Sequence, residues 1–103
     1  MKAAKTDGNQ SEIVATLKAA GAKILSLAAV GRGVPDLLIF VPTADPELIA
    51  QTAERIGGVY FLAEVKTSKG KLSTRQIDWH KAWGERAVDI VRSGVDALRL
   101  IGR

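Results

Sequence analysis

The chain has 103 residues, 47% of them hydrophobic, with a net charge of +4, no cysteine and one histidine. That length suits one domain with a single core, and the missing cysteines exclude disulfides and cysteine-based zinc sites. No apolar run is long enough to span a membrane, and the polar first ten residues lack the apolar stretch of a secretory signal, so the expected location is cytoplasmic.

Residues 1–10 read as a flexible N-terminus and 11–103 as the folded domain. Ser11 can cap a helix over about 12–20, with Ile13, Val14, Leu17 and Ala20 on one face and Gly21 as its stop. Lys23 to Val30 reads as a strand, and Gly31-Arg32-Gly33-Val34-Pro35 as a turn. Asp36 to Val41 is a second strand, closed by Pro42. Asp45-Pro46-Glu47 has the pattern of a helix start, which places a helix over 46–56, ended by Gly57-Gly58. Val59 to Lys66 is a third strand, and its near-continuous apolar run suggests burial on both faces. Ser73-Thr74-Arg75-Gln76 has capping-box spacing and opens a helix to about Trp83, with Gly84 after it. Ala87 to Val91 is a fourth strand. Ser93 or Asp96 begins a last helix that buries Val95, Leu98 and Ile101. The sum is an α/β fold with a small mixed sheet covered by helices on both faces, the fourth strand lying parallel to the third.

Charge sits at the tips of two of these apolar runs. Asp36 opens Leu37-Leu38-Ile39-Phe40-Val41; Glu64 and Lys66 end Val59-Tyr60-Phe61-Leu62-Ala63. Glu64 and Lys66 are two apart, so both leave the same face of a strand. If the two runs pair antiparallel, Asp36 joins them at one end of the sheet. Two carboxylates beside an ammonium suit a divalent cation and an activated water. The plainer alternatives are a turn aspartate after proline and an edge salt bridge from Glu64 to Lys66. Lys66, Lys69, Lys71 and Arg75 follow one another without an acid between them. This run is either a solvated loop or a surface that tracks phosphates.

Pro35-Asp36 followed by Glu64-Val65-Lys66 resembles the signature of the PD-(D/E)XK nuclease superfamily. The wider series resembles its VRR-NUC (virus-type replication-repair nuclease) family. That series comprises a helix bearing Glu12, Gly33 before Pro35-Asp36, Lys71-Leu72-Ser73-Thr74-Arg75-Gln76 after the triplet, then Gly84 and Val88-Asp89-Ile90-Val91-Arg92-Ser93. The resemblance covers residues 11 to about 100. It implies a restriction-endonuclease-like core of helix, three-stranded meander, helix and strand, in which a helix at 46–56, between strands two and three, is extra. It also implies a metal-dependent DNA nuclease of a bacterial or phage-infected cell, using Mg²⁺ or Mn²⁺.

Carried over residue by residue, the resemblance makes Asp36 and Glu64 metal ligands, with the Val65 carbonyl as a backbone ligand. Lys66 becomes the group that holds the attacking water or stabilises the phosphate. Gln76 matches the family's active-site glutamine, in competition with the capping box, and Glu12 its helical acid, in competition with a first-turn helix-dipole role. Arg32, Lys69, Lys71 and Arg75 are the candidate DNA contacts. Trp79 and Trp83, four apart on one helix, are expected to pack in the core, or else to form a dimer contact. His80 between them is a tempting general base, but metal-dependent hydrolysis does not need one. The expected activity is cleavage of DNA phosphodiesters, selective for branched or Holliday-junction-like structure, with a homodimer supplying two sites. The rival is a non-catalytic nucleic-acid-binding or replication-complex interaction module. Against it stand the two carboxylates, which a binder has no reason to turn toward phosphates.

Overall fold

The structure, a computed structural model, describes residues 8–42, 57–84 and 88–102. Its elements in chain order are α1 (Gln10–Ala19), β1 (Lys23–Ser26), β2 (Leu37–Pro42), β3 (Gly58–Val65), α2 (Thr74–Trp83), β4 (Val88–Val91) and α3 (Gly94–Leu100). The expected helix at 46–56 lies outside the described residues. The four strands form one sheet in the order β1-β2-β3-β4. The first three form the antiparallel meander, and β4 lies parallel to β3. This is the small mixed α/β sheet of a restriction-endonuclease-like fold, with three helices among the described residues.

Strand parity divides the sheet into two unlike faces. Leu37, Ile39 and Val41 of β2 pair with Ala63, Phe61 and Val59 of β3, so these side chains share one face. Ile13 and Leu17 of α1, with Ala97 and Ile101 beyond it on α3 and its C-cap, close over that face and form the core. Ile13, Leu17, Leu37 and Ile39 are fully buried. Truncating any of them to alanine would cost about 2–5 kcal/mol in lost transfer energy and cavity. The opposite face is only partly covered: Leu25, Tyr60 and Ile90 stay exposed there. The expectation of full burial on both faces of the third strand therefore holds at its ends, at Gly58 and Val59 and again at Ala63, Glu64 and Val65, and fails between them at the exposed Tyr60.

Two boundaries and one buried position differ from what the sequence predicts. The first helix starts at Gln10, with Asn9 rather than Ser11 at the N-cap position. Asn9 spends its side-chain amide on distant carbonyls, donating to Lys66 O at 3.0 Å and Arg92 O at 2.9 Å. Those bonds fix the start of α1 to the ends of β3 and β4, so residues 8–10 belong to the folded body. The first strand stops at Ser26. The Leu27 N–H still bonds to Asp36 O, but Val30 N–H turns back to Leu27 O. The cap of α3 is Ser93, one of the two starts expected, but Ala97 takes the buried position expected of Val95, which is 58% exposed.

Candidate active site

The β2–β3 register sets Leu37 opposite Ala63. One step further, Asp36 falls opposite Glu64, on the face away from the α1–α3 core. The two strands are tied there by the Asp36 carboxylate itself, whose Oδ2 accepts from the Val65 N–H at 2.8 Å. Asp36 is thus fixed by a charge-assisted bond in which backbone amide and side chain come from different strands. Lys66 continues β3 past the ladder, and its N–H donates to Val91 O at 3.0 Å. The side chains of Asp36, Glu64 and Lys66 leave the same face at one end of the sheet, as the sequence predicts.

Glu64 is 0% exposed, which is rare for a carboxylate without dedicated partners. Those partners come from α2. Gln76 Nε2 donates to Glu64 Oε2 at 2.8 Å. His80 Nε2 stands 3.5 Å from Glu64 Oε1. Gln76 and His80 are one helical turn apart and so face the sheet together. His80 is the buried residue of α2, while Ile77 and Trp83 are exposed. Polar contacts with Glu64 thus help attach the helix to this end of the sheet.

The two roles weighed for Gln76 prove compatible, because an amide has two ends. Its Oε1 accepts from Ser73 N–H at 2.8 Å, completing the capping box, while Nε2 holds Glu64. One conformer serves both. The start of α2 is also set by the turn before Asp36. Gly33 has φ of 80°, and a Cβ there would overlap the Arg75 carbonyl. Only glycine permits both that conformation and the close approach.

Glu12 is exposed in the first turn of α1, whose core side chains lie on the other face of the sheet. The structure does not gather it with Asp36 and Glu64: among the described residues no three His, Cys, Asp or Glu side chains form a ready metal cluster. The protein donors that do converge are carboxylate oxygens of Asp36 and Glu64, a hard set suited to Mg²⁺ or Mn²⁺. Arg32, Lys69, Lys71 and Arg75 are all exposed. They divide into two groups. Lys69 and Lys71 belong to the segment between β3 and α2, whereas Arg32 and Arg75 border an open pocket with Asp78, Trp79, Ala82 and Trp83.

Three residues gain a place that the sequence did not give them. His80 joins the site, and the signal was its spacing of four from Gln76. Asn9 locks α1 to the strand ends. Arg92 shapes the basic loop: its Nη1 donates to Thr67 O and Gly70 O, both at 2.7 Å. Because β3 and β4 are parallel, Arg92 emerges beside the loop that leaves β3. The expectation that the tryptophans are core residues fails. Trp83 is 68% exposed, and its ring stacks on that of Trp79 with centroids 5.3 Å apart.

The family model for the VRR-NUC domain matches residues 1–95. This chain belongs to the VRR-NUC domain family. No curated protein and no solved structure matches it. The span matched to the VRR-NUC domain takes in Asp36, Glu64, Lys66, Gln76, His80 and Arg92, so the strand-end site lies wholly within it. No helix among the described residues of this VRR-NUC chain is long and apolar enough to cross a membrane.

Proposed function

We propose that this VRR-NUC domain is an endonuclease that hydrolyses DNA phosphodiesters with Mg²⁺ or Mn²⁺. The observation that carries the reading is a fully buried Glu64, held by Gln76, at the register position opposite Asp36, with Lys66 two residues on. Burying a carboxylate costs several kcal/mol unless it is compensated, so a strand that retains one at its end favours a task over packing. Asp36 and Glu64 would hold the cation, with the Val65 carbonyl as a further oxygen donor. When bound, the cation supplies an acidified water and offsets phosphate charge.

The chain's own groups do the positioning. Gln76 fixes the Glu64 carboxylate through Oε2, and the Val65 N–H fixes Asp36 through Oδ2. Lys66 orients the attacking water and stabilises negative charge on the phosphate as a fifth oxygen adds. In-line attack opposite the 3′-oxygen leaves a 5′-phosphate and a 3′-hydroxyl. Arg32, Lys69, Lys71 and Arg75 contact phosphates on either side. With these few basic groups, the selectivity we propose is for branched or junction DNA, and a homodimer would supply two sites for paired nicks.

The test is incubation of the purified chain with labelled linear, flap and four-way DNA in Mg²⁺, Mn²⁺ or EDTA, alongside Lys66→Ala. Cleavage is expected with either metal, none in EDTA, and none by the variant, whose urea midpoint should match the parent. Undiminished cleavage by Lys66→Ala would overturn the assignment. Sedimentation with and without junction DNA tests the dimer.

A further inference from the structure

We propose that Trp79 and Trp83, with Arg32 and Arg75, form a stacking platform for an unpaired nucleobase of the DNA strand that reaches the strand-end site. The proposal rests on the nuclease reading above and specifies what form of DNA that site accepts.

The chain contains two tryptophans, and both are here. Their rings are nearly parallel, at 13°, with centroids 5.3 Å apart. Trp83 is 68% exposed, so one large aromatic surface is left to solvent on an already ordered ring pair. Desolvating such a surface against another flat ring is favourable and sequence-tolerant, because every base has a π face. The adjoining open pocket has a volume of about 480 Å³ and is lined by Arg32, Arg75, Asp78, Trp79, Ala82 and Trp83. Two guanidiniums against one carboxylate leave a positive rim beside an aromatic floor. That pairing of cation and ring suits a base and its phosphate better than it suits an apolar peptide or a second copy of the same basic surface.

The backbone holds the two arginines together. Gly33 lies against the Arg75 carbonyl, which docks the 31–34 turn on the first turn of α2. Arg32 itself sits at φ 60°, a region that non-glycine residues seldom occupy. Such a conformation costs on the order of 1–3 kcal/mol and persists only where the surroundings impose it. Arg32 is therefore held at the pocket rim by a strained turn rather than left on a loose loop.

The location fits a DNA strand in the site. Gln76, Trp79 and Trp83 are spaced i, i+3 and i+7 and form one stripe along α2. Gln76 touches Glu64, and Trp83 lies about 10 Å further along the helix axis. At 3.4 Å per stacked nucleotide, that is roughly three nucleotides from the carboxylates. A base inside a duplex is already paired and stacked on both faces. The platform therefore selects a base freed by a flap, a junction or a mismatch.

Tryptophan emission reports on this patch alone, because the chain has no other tryptophan. The experiment titrates the chain in EDTA with 5′-fluorescein-labelled oligothymidylate, an abasic oligonucleotide of equal length, and duplex DNA. Anisotropy reads binding and emission reads stacking. Oligothymidylate is expected to quench the emission, whereas the abasic strand at equal occupancy should not. Trp83→Ala should lose fivefold or more in affinity for oligothymidylate with an unchanged salt slope, and Trp83→Phe should recover part of it. Arg75→Ala should instead lower the salt slope by about 0.7 on single strands. Equal binding of abasic and thymidylate strands without quenching overturns the platform. So does an emission shift that follows protein concentration without DNA, which would mean that a second copy covers the patch. If no DNA form binds at all, the nuclease reading falls with it; if metal-dependent cutting needs Lys66 but binding ignores Trp83, the platform alone is wrong.

Discussion

Replacing Gln76 by alanine and by glutamate separates its two jobs. Alanine removes the Oε1 that caps Ser73 N–H and the Nε2 that holds Glu64. Losing the reciprocal half of the cap costs about 1 kcal/mol. Depriving a buried carboxylate of one charge-assisted donor costs about 1.5–3 kcal/mol more. The sum, about 2.5–4 kcal/mol, is a large share of the roughly 5–15 kcal/mol that stabilises a domain of this size. Glutamate keeps an oxygen for the cap but sets a second carboxylate where the donor stood, 2.8 Å from Glu64 Oε2. Repulsion at that spacing is worth several kcal/mol before the side chains relax. Gln76→Glu should therefore destabilise at least as much as alanine without metal, although it preserves the cap. Urea denaturation followed by far-ultraviolet circular dichroism in EDTA should show midpoints lowered by roughly 1–2 M for both variants. Added Mn²⁺ should restore the glutamate variant more than the alanine one, because a third carboxylate then faces the cation. If Gln76→Glu without metal lies within about 0.5 kcal/mol of the parent, the amide is not what stabilises the buried Glu64, and the account of how α2 is held fails.

Asp36→Asn and Glu64→Gln should each abolish cleavage through loss of the cation, while the metal-free melting temperature stays level or rises as like-charge repulsion is relieved; calorimetry that finds full Mn²⁺ affinity in both would mean that the ligands are misassigned. Reversing charge at Lys69, Lys71 and Arg75 together should weaken DNA binding and lower the slope of log K against log salt by roughly 0.9 per lost duplex contact, and a triple variant with parental affinity and slope would place the DNA elsewhere. Asp89 on β4 is exposed as a residue, but partial desolvation of its carboxyl raises that group above its usual value of 3.8. The folded state thus holds that proton more tightly than the unfolded one, so this group favours folding in acid and loses that contribution as pH rises through its folded pKa. Asp89→Asn should accordingly stabilise slightly at pH 7, within about 0.5 kcal/mol, and the gain should fade below about pH 4; a gain that does not vary between pH 3.5 and 7 would contradict this.

Much of this architecture was legible locally. Apolar runs bounded by Pro and Gly place the central strands, and Ser73 with Gln76 gives α2 its start, because capping depends on residues three apart. Strand parity alone puts Glu64 and Lys66 on one face. The antiparallel pairing of two such strands then brings in Asp36. What tertiary structure decided were the contacts between segments distant in sequence. Asn9 resembles a local cap but bonds across the fold to Lys66 and Arg92 carbonyls. His80 reads as one more helical residue until α2 is set against β3 and faces it toward Glu64. The tryptophan stripe has the periodicity of a core face, yet hydrophobic spacing states only which side chains lie together, not whether another element covers them. On α2, Gln76 and His80 meet the strand end at Glu64, while Trp83, seven residues along the same side from Gln76, is left to solvent. A sequence fixes a helix's stripes through short-range geometry; which stripe is buried depends on where the rest of the chain delivers its partners.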